Sequence, residues 1–108
     1  MKNTEGRDGI AVMDINEGVA LCEATPQAVL LDVRTALEYR MGHIPNSRNV
    51  PLQKLSRLEE QVSTPLFVYC LAGTRSRQAV LMLQGMGYEQ VTDLGGISAY
   101  SGPLTGRG

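Results

Sequence analysis

Hydrophobic positions along this chain fall into short continuous runs separated by segments in which they recur every three or four residues. Ala28-Val29-Leu30-Leu31-Asp32-Val33-Arg34 is apolar until its end and partly β-branched, the pattern of a strand buried on both faces. Leu66-Phe67-Val68-Tyr69, approached through Pro65, and Val91 to Leu94 read the same way, with shorter strands at Ile10 to Met13 and Arg48 to Val50. Ile15, Val19 and Cys22 share one helical face behind Asp14, which caps the helix while Glu17 closes a capping-box-like pair. Thr35 and Glu38 repeat that signal for a short helix, which Gly42 can end before the turn His43-Ile44-Pro45-Asn46. Leu52, Leu55, Leu58 and Val62 recur at helical spacing. Ser76 to Met86 predicts a helix with Ala79, Val80 and Leu83 inward and Gly85 or Gly87 as its stop, and Gly95-Gly96 turns into a last short helix near Ile97 to Tyr100.

Strands that alternate with helices at short spacing predict an α/β domain, a parallel sheet with helices on both faces. Ligands of such sheets bind at the carboxyl ends of the strands. Two of those ends carry chemically interesting residues, Asp32-Val33-Arg34 and Tyr69-Cys70. At 108 residues the chain has room for one core, placed over residues 10–101; residues 1–9 and 102–108 are small, polar and glycine-rich and are expected to be flexible.

Composition narrows the chemistry. Ten basic against eleven acidic side chains give a net charge of -1, which does not point to nucleic acid as a partner. No apolar run approaches the roughly 18 residues of a membrane span, so no membrane partner is expected, and the polar, acid-bearing start does not read as a secretory signal, so a cytoplasmic location is expected. Two cysteines and one histidine neither make a disulfide framework nor close a zinc site, and no metal or organic cofactor is expected. The chemistry is sought in a thiol.

Cys70 follows a buried-looking strand and opens Cys70-Leu71-Ala72-Gly73-Thr74-Arg75-Ser76, which leads into a helix. Curled, such a loop points successive backbone N–H groups inward as an anion-binding nest, and the helix terminus adds partial positive charge. Gly73 can take the positive φ that the curl requires. A thiol held there is expected to react as the thiolate, the nucleophilic form.

These segments together resemble the single-domain rhodaneses, or sulfurtransferases, over roughly residues 10–100. Leu30-Leu31-Asp32-Val33-Arg34 with Glu38-Tyr39, Gly42-His43-Ile44-Pro45 and Asn49-Val50-Pro51-Leu52 matches the family's upstream signature; Val68 to Ser76 matches its active-site loop, and Gly85-Met86-Gly87-Tyr88 with Leu94-Gly95-Gly96 the downstream one. The resemblance implies a rhodanese-like fold, a five-stranded parallel sheet flanked by helices. It implies that Cys70 takes a sulfane sulfur from thiosulfate or another small sulfur-donor anion as a persulfide, then passes it to cyanide, a thiol or a thiol-carrying acceptor protein. Leu71, Ala72, Gly73, Thr74, Arg75 and Ser76 would hold the substrate, with Asp32 and Arg34 ordering the loops in support.

Two alternatives stand beside this reading. Phosphatases and arsenate reductases of related fold use a loop one residue longer than the four residues between Cys70 and Arg75, and a histidine where Tyr69 stands. Non-catalytic rhodanese-like interaction modules often lack the cysteine that this chain keeps with Gly73 and Arg75. Arg75 faces either the substrate anion or a carboxylate, Asp32 or Glu38. Arg77 reads as a solvated surface charge, His43 as a turn residue, Cys22 as core, and Tyr100 as filling the place of a family tryptophan. Many thiosulfate users carry a cationic or polar residue just after the cysteine, whereas Leu71 and Ala72 bring no charge, so a different physiological donor is expected.

Overall fold

The structure, a computed structural model, describes residues 3–5 and 11–106. Among them β1 (Asn3–Glu5), β2 (Ala11–Met13), β3 (Val29–Asp32), β4 (Arg48–Asn49), β5 (Leu66–Cys70) and β6 (Val91–Gly96) form one sheet in the order β1-β2-β6-β5-β3-β4. β1 runs antiparallel to β2, and every other pair is parallel. Five parallel strands, β2-β6-β5-β3-β4, therefore make the expected sheet, and α1 (Ile15–Ala24), α2 (Ala36–Met41) and α3 (Thr74–Gly85) are its α-helices.

Side chains of β5 alternate. Leu66, Val68 and Cys70 join Leu31, Val33, Ala79, Val80 and Leu83 in one core cluster, under α3, while Phe67 and Tyr69 join Ile15, Val19, Cys22, Leu30 and Leu94 in a second cluster under α1. A period of two across a sheet covered on both faces produces this division, and a one-residue slip would move Cys70 to the wrong face.

The capping signals act in full at α2 and in half at α1. Asp14 accepts from the Glu17 N–H at 3.0 Å, but among the described residues the Glu17 side chain does not close the expected pair, whereas Thr35 with Glu38 forms a complete capping box. α3 ends in a Schellman turn: Gly87, at φ +101°, donates to the Gln84 carbonyl and Tyr88 to that of Leu83.

The stripe of leucines departs from expectation. Leu52–Arg57 form a 3-10 helix and Leu58 is already extended, because the Tyr88 hydroxyl donates to the Leu58 carbonyl and accepts from the Glu60 N–H. A tertiary partner thus takes the backbone groups that a longer helix would have used. Leu55 is buried as expected, but Val62 is 48% exposed. Ile97–Ala99 is likewise a single 3-10 turn.

Within the start of the chain expected to be flexible, Asn3–Glu5 pair with β2; residues 1–2 and 6–9, and Ile10 of the predicted strand, lie outside the described residues. In the expected C-terminal tail, Thr105 exchanges two backbone hydrogen bonds with His43, at 2.7 and 2.8 Å. Residues 107–108 are outside the described ones. His43 also stacks on the Tyr39 ring, the centroids 3.6 Å apart.

Candidate active site

Cys70 is the last residue of β5 and its side chain points under the start of α3, only 1% of the residue being exposed. The chain leaves the strand through Leu71-Ala72-Gly73, and α3 begins at Thr74, two residues earlier than the spacing placed it. Gly73 holds φ +109°, which favours glycine. No side chain caps α3; the Ser76 hydroxyl donates to the Gly73 carbonyl instead, at 3.1 Å. The Gly73 N–H donates to Cys70 Sγ at 2.9 Å. Thr74, Arg75 and Ser76 occupy the first turn, where backbone N–H groups lack an intrahelical acceptor, and among the described residues they have none elsewhere. A thiol thus sits against a helix terminus whose backbone donors are uncommitted and can meet an anion bound beside it.

The second wall of the site comes from β6. Cys70 pairs with Gly96 after a register shift between Val68 and Cys70. A Cβ on Gly96 would run into the Leu71 carbonyl oxygen and lie 2.7 Å from the Ala72 Cα. The Ser98 N–H donates to that same carbonyl at 3.3 Å. Gly95, at φ +75°, donates its N–H to the Asp93 carboxylate at 2.9 Å. Asp93 is only 2% exposed and sequence reasoning missed it; the signal was an acid inside the apolar run Val91 to Leu94.

Arg75 turns to the carboxylate of the two alternatives. Its guanidinium binds Glu38 bidentately, Nη1 to Oε1 at 2.7 Å and Nη2 to Oε2 at 3.0 Å. The same Oε1 accepts from the Thr35 N–H and hydroxyl, so the cap of α2 and the cysteine loop share one carboxylate. Hydrogen bonding from Arg75 brings the Glu38 carboxyl down to about 2, helped by the Thr35 N–H and the Arg75 charge.

Asp32 and Arg34 form a buried pair at 2.7 Å. Arg34 also donates to the Gly42 carbonyl at 2.8 Å, while the Asn49 amide binds the carbonyls of Asp32 and Arg34. These groups fasten the carboxyl ends of β3 and β4 to the end of α2. Tyr69, fully buried, accepts from the Ile44 N–H and pairs with the Ser47 hydroxyl; burial raises its phenol above the ordinary range.

Leu71 is 45% exposed, and Ala72 and Thr74 are exposed beside it. A crevice of about 550 Å³ lies next to the loop, lined by Ala72, Gly73, Thr74 and Arg77 and by Met13 and Gly95. Arg77, expected as a solvated surface charge, is half-buried in that wall. Cys22 packs far from this chemistry in the α1 cluster, and burial, with Glu23 adding repulsion, pushes its thiol up to about 11. Among the described residues no group of three or more His, Cys, Asp or Glu side chains is gathered to hold a metal, and no helix is long and apolar enough to cross a membrane.

The rhodanese-like domain family matches residues 16–102. The adenylyltransferase and sulfurtransferase uba4 of Ogataea parapolymorpha is 33% identical over 102 residues, 89% of this chain; the match spans 26% of the length of that protein. The thiosulfate sulfurtransferase PspE of Escherichia coli is 32% identical over 80 residues, 68% of this chain and 74% of PspE. The solution structure of the rhodanese-like domain of the Anabaena Alr3790 protein superposes with a TM-score of 0.80 at 29% identity, covering 89% of this chain and 79% of that one.

Proposed function

Because this chain belongs to the rhodanese-like domain family, we propose that it is a sulfurtransferase that carries sulfane sulfur as a persulfide on Cys70. The observation that carries the reading is Cys70 Sγ lying 2.9 Å from the Gly73 N–H at the start of a helix that no side chain caps.

In the first step the Cys70 thiolate attacks the outer sulfur of a donor. With thiosulfate the S–S bond breaks, sulfite leaves with its electron pair, and Cys70 keeps the outer sulfur. The persulfide's terminal sulfur is anionic and lies one bond further out than Sγ, toward the N–H groups of Thr74, Arg75 and Ser76. Those donors are preorganised and cost no rearrangement when charge arrives. In the second step a thiolate or cyanide attacks the terminal sulfur, the Cys70 S–S bond breaks, and the thiolate is restored.

The guanidinium of Arg75 is committed to Glu38. Arg75 therefore contributes its backbone N–H to the anion and its side chain to the loop's position. Leu71 and Ala72 add no charge at the mouth, so thiosulfate is a weakly bound donor and an organic persulfide is the better one. The alternative readings as phosphatase or interaction module gain no support from the loop, which keeps four residues between Cys70 and Arg75.

Intact-mass measurement tests this. After exposure to thiosulfate, and separately to a small organic persulfide, the protein should gain the mass of one sulfur atom, which cyanide then removes. Cys70→Ser should gain nothing. An unmodified mass after both donors, or turnover of an aryl phosphate, would overturn the reading.

A further inference from the structure

β6 carries a carboxylate in the interior of the sheet. Asp93 pairs with Val12 of β2 on one side and Val68 of β5 on the other, and is only 2% exposed. A buried charge is costly unless hydrogen bonds meet it, and this one accepts the Gly95 N–H at 2.9 Å, two residues along the same strand. The ladder explains the need for that acceptor. Val68 pairs with Asp93, yet Cys70 pairs with Gly96, so Tyr69 alone stands opposite both Leu94 and Gly95. Such a β-bulge leaves one residue without a partner across the ladder. Gly95 holds φ +75°, the left-handed conformation that a bulge of this kind gives to glycine, and Asp93 supplies its N–H with an acceptor.

The bulge sets two glycine backbones against the cysteine loop. Counted on from Val68 and Asp93 without it, Cys70 would face Gly95; with it, Gly96 takes that place. Gly95 then lies behind Gly73, where a Cβ on Gly73 would come within 3.9 Å of the Gly95 Cα. Gly96 backs onto the preceding residues of the loop, and a Cβ there would lie 2.7 Å from the Ala72 Cα. Against these two supports the Gly73 N–H meets Cys70 Sγ at 2.9 Å. A displacement of that N–H by about 1 Å weakens the hydrogen bond steeply.

We propose that Asp93 is a positioning residue of the sulfur site. Its side-chain oxygen holds the bulge that seats Gly95 and Gly96, and through them fixes the Gly73 N–H on Cys70. The inference rests on the sulfurtransferase reading and adds a residue that touches neither the thiol nor the donor. It acts as a hydrogen-bond acceptor, so its charge is not what the loop requires.

The test compares wild type with Asp93→Asn, which keeps a side-chain carbonyl oxygen for the Gly95 N–H, and Asp93→Ala, which removes it. Sulfur transfer from thiosulfate to cyanide, the thermal melt and the amide NMR signal of Gly73 are read for each. Expected for Asp93→Asn is a kcat within about twofold of wild type and an unmoved Gly73 signal. Asp93→Ala should lose about tenfold in kcat, the value of one hydrogen bond to a charged atom, with the Gly73 signal shifted. A wild-type kcat in Asp93→Ala, or an equal loss in both variants, overturns the proposal. Should Asp93→Ala fail to fold, amide exchange in wild type decides. The Gly95 and Gly73 amides should open as one unit, with protection equal to within about threefold, and a Gly95 amide that exchanges far faster than that of Gly73 overturns the proposal. If wild type transfers no sulfur, the sulfurtransferase reading fails and the positioning claim stands or falls on the Gly73 signal alone: moved in Asp93→Ala and kept in Asp93→Asn it stands, and unmoved in both it falls.

Discussion

Cys70 and Cys22 are both buried, yet their surroundings differ. Cys70 meets a backbone donor at an uncapped helix start, whereas Cys22 lies among apolar side chains that hold its thiol protonated, up to about 11. Cys70→Ser should fold and lose all sulfur transfer. Cys22→Ala should keep full activity and lose about 1–2 kcal/mol of stability through the small cavity it leaves, measured by urea denaturation beside the turnover assay. Loss of activity in Cys22→Ala with Cys70→Ser still active would reverse the assignment. Leu71 belongs to the same scale. An apolar, half-exposed side chain at the mouth leaves thiosulfate to backbone donors, so Leu71→Arg should lower the KM for thiosulfate by about tenfold. That gain should shrink as salt is added, because a charge at the surface is screened; a KM that ignores the substitution would show that the mouth does not limit anion binding.

At the scale of elements, the first turns of α2 and α3 are joined through one carboxylate. Glu38 completes the capping box of α2 and binds Arg75 of α3, and its folded-state value of about 2 lies below the ordinary 4.5. A depressed carboxyl stabilises the fold above its unfolded value and loses that contribution as pH falls toward the folded one. The loss therefore runs from about pH 4.5 to about pH 2. Glu38→Gln keeps a capping side chain but removes the ion pair. It should cost about 1 kcal/mol at neutral pH, the pair being partly exposed, and the difference from wild type should shrink below about pH 4.5 and be mostly lost at about pH 2 in urea melts. A difference as large at pH 2 as at neutral pH would place the stabilisation outside the ion pair.

Over the whole molecule, the site exists because separate strand ends are brought within contact. The cysteine loop leans on Gly96, and no space is left there for a Cβ. Gly96→Ala should displace Leu71 and Ala72, cost about 1–3 kcal/mol as overpacking does, and lower transfer at least in proportion to the fraction of loops displaced. Gly85→Ala, which meets nothing within 4 Å, serves as the matched control and should stabilise α3 slightly. Equal activity in the two variants would mean that β6 does not position the loop. The buried Asp32–Arg34 pair is a second long-range tie. Asp32→Asn leaves Arg34 without its buried counter-charge, and the expected cost is about 3–5 kcal/mol, read from the shift of the thermal midpoint.

The sequence by itself determined what is local. Apolar runs and capping pairs placed the buried strands and the starts of the first two α-helices, because a two-residue period and a side chain three residues from a cap are properties of short segments. The proposal for Cys70 also starts from the sequence, since a thiol opening a glycine-containing loop between strand and helix is legible in the order Cys70 to Ser76. What the sequence left open, tertiary structure decided. Arg75 had two partners open to it, and only the approach of α2 to α3 committed it to Glu38, 37 positions away. The helix expected from Leu52 to Val62 was cut short by the hydroxyl of Tyr88, 30 positions beyond Leu58. Asp93 was unremarkable until β6 was seen to bury it beside the turn that supports the loop. In each case the deciding partner is distant along the chain, and a hydrogen bond between distant residues depends on where the fold places both ends, which no local pattern encodes.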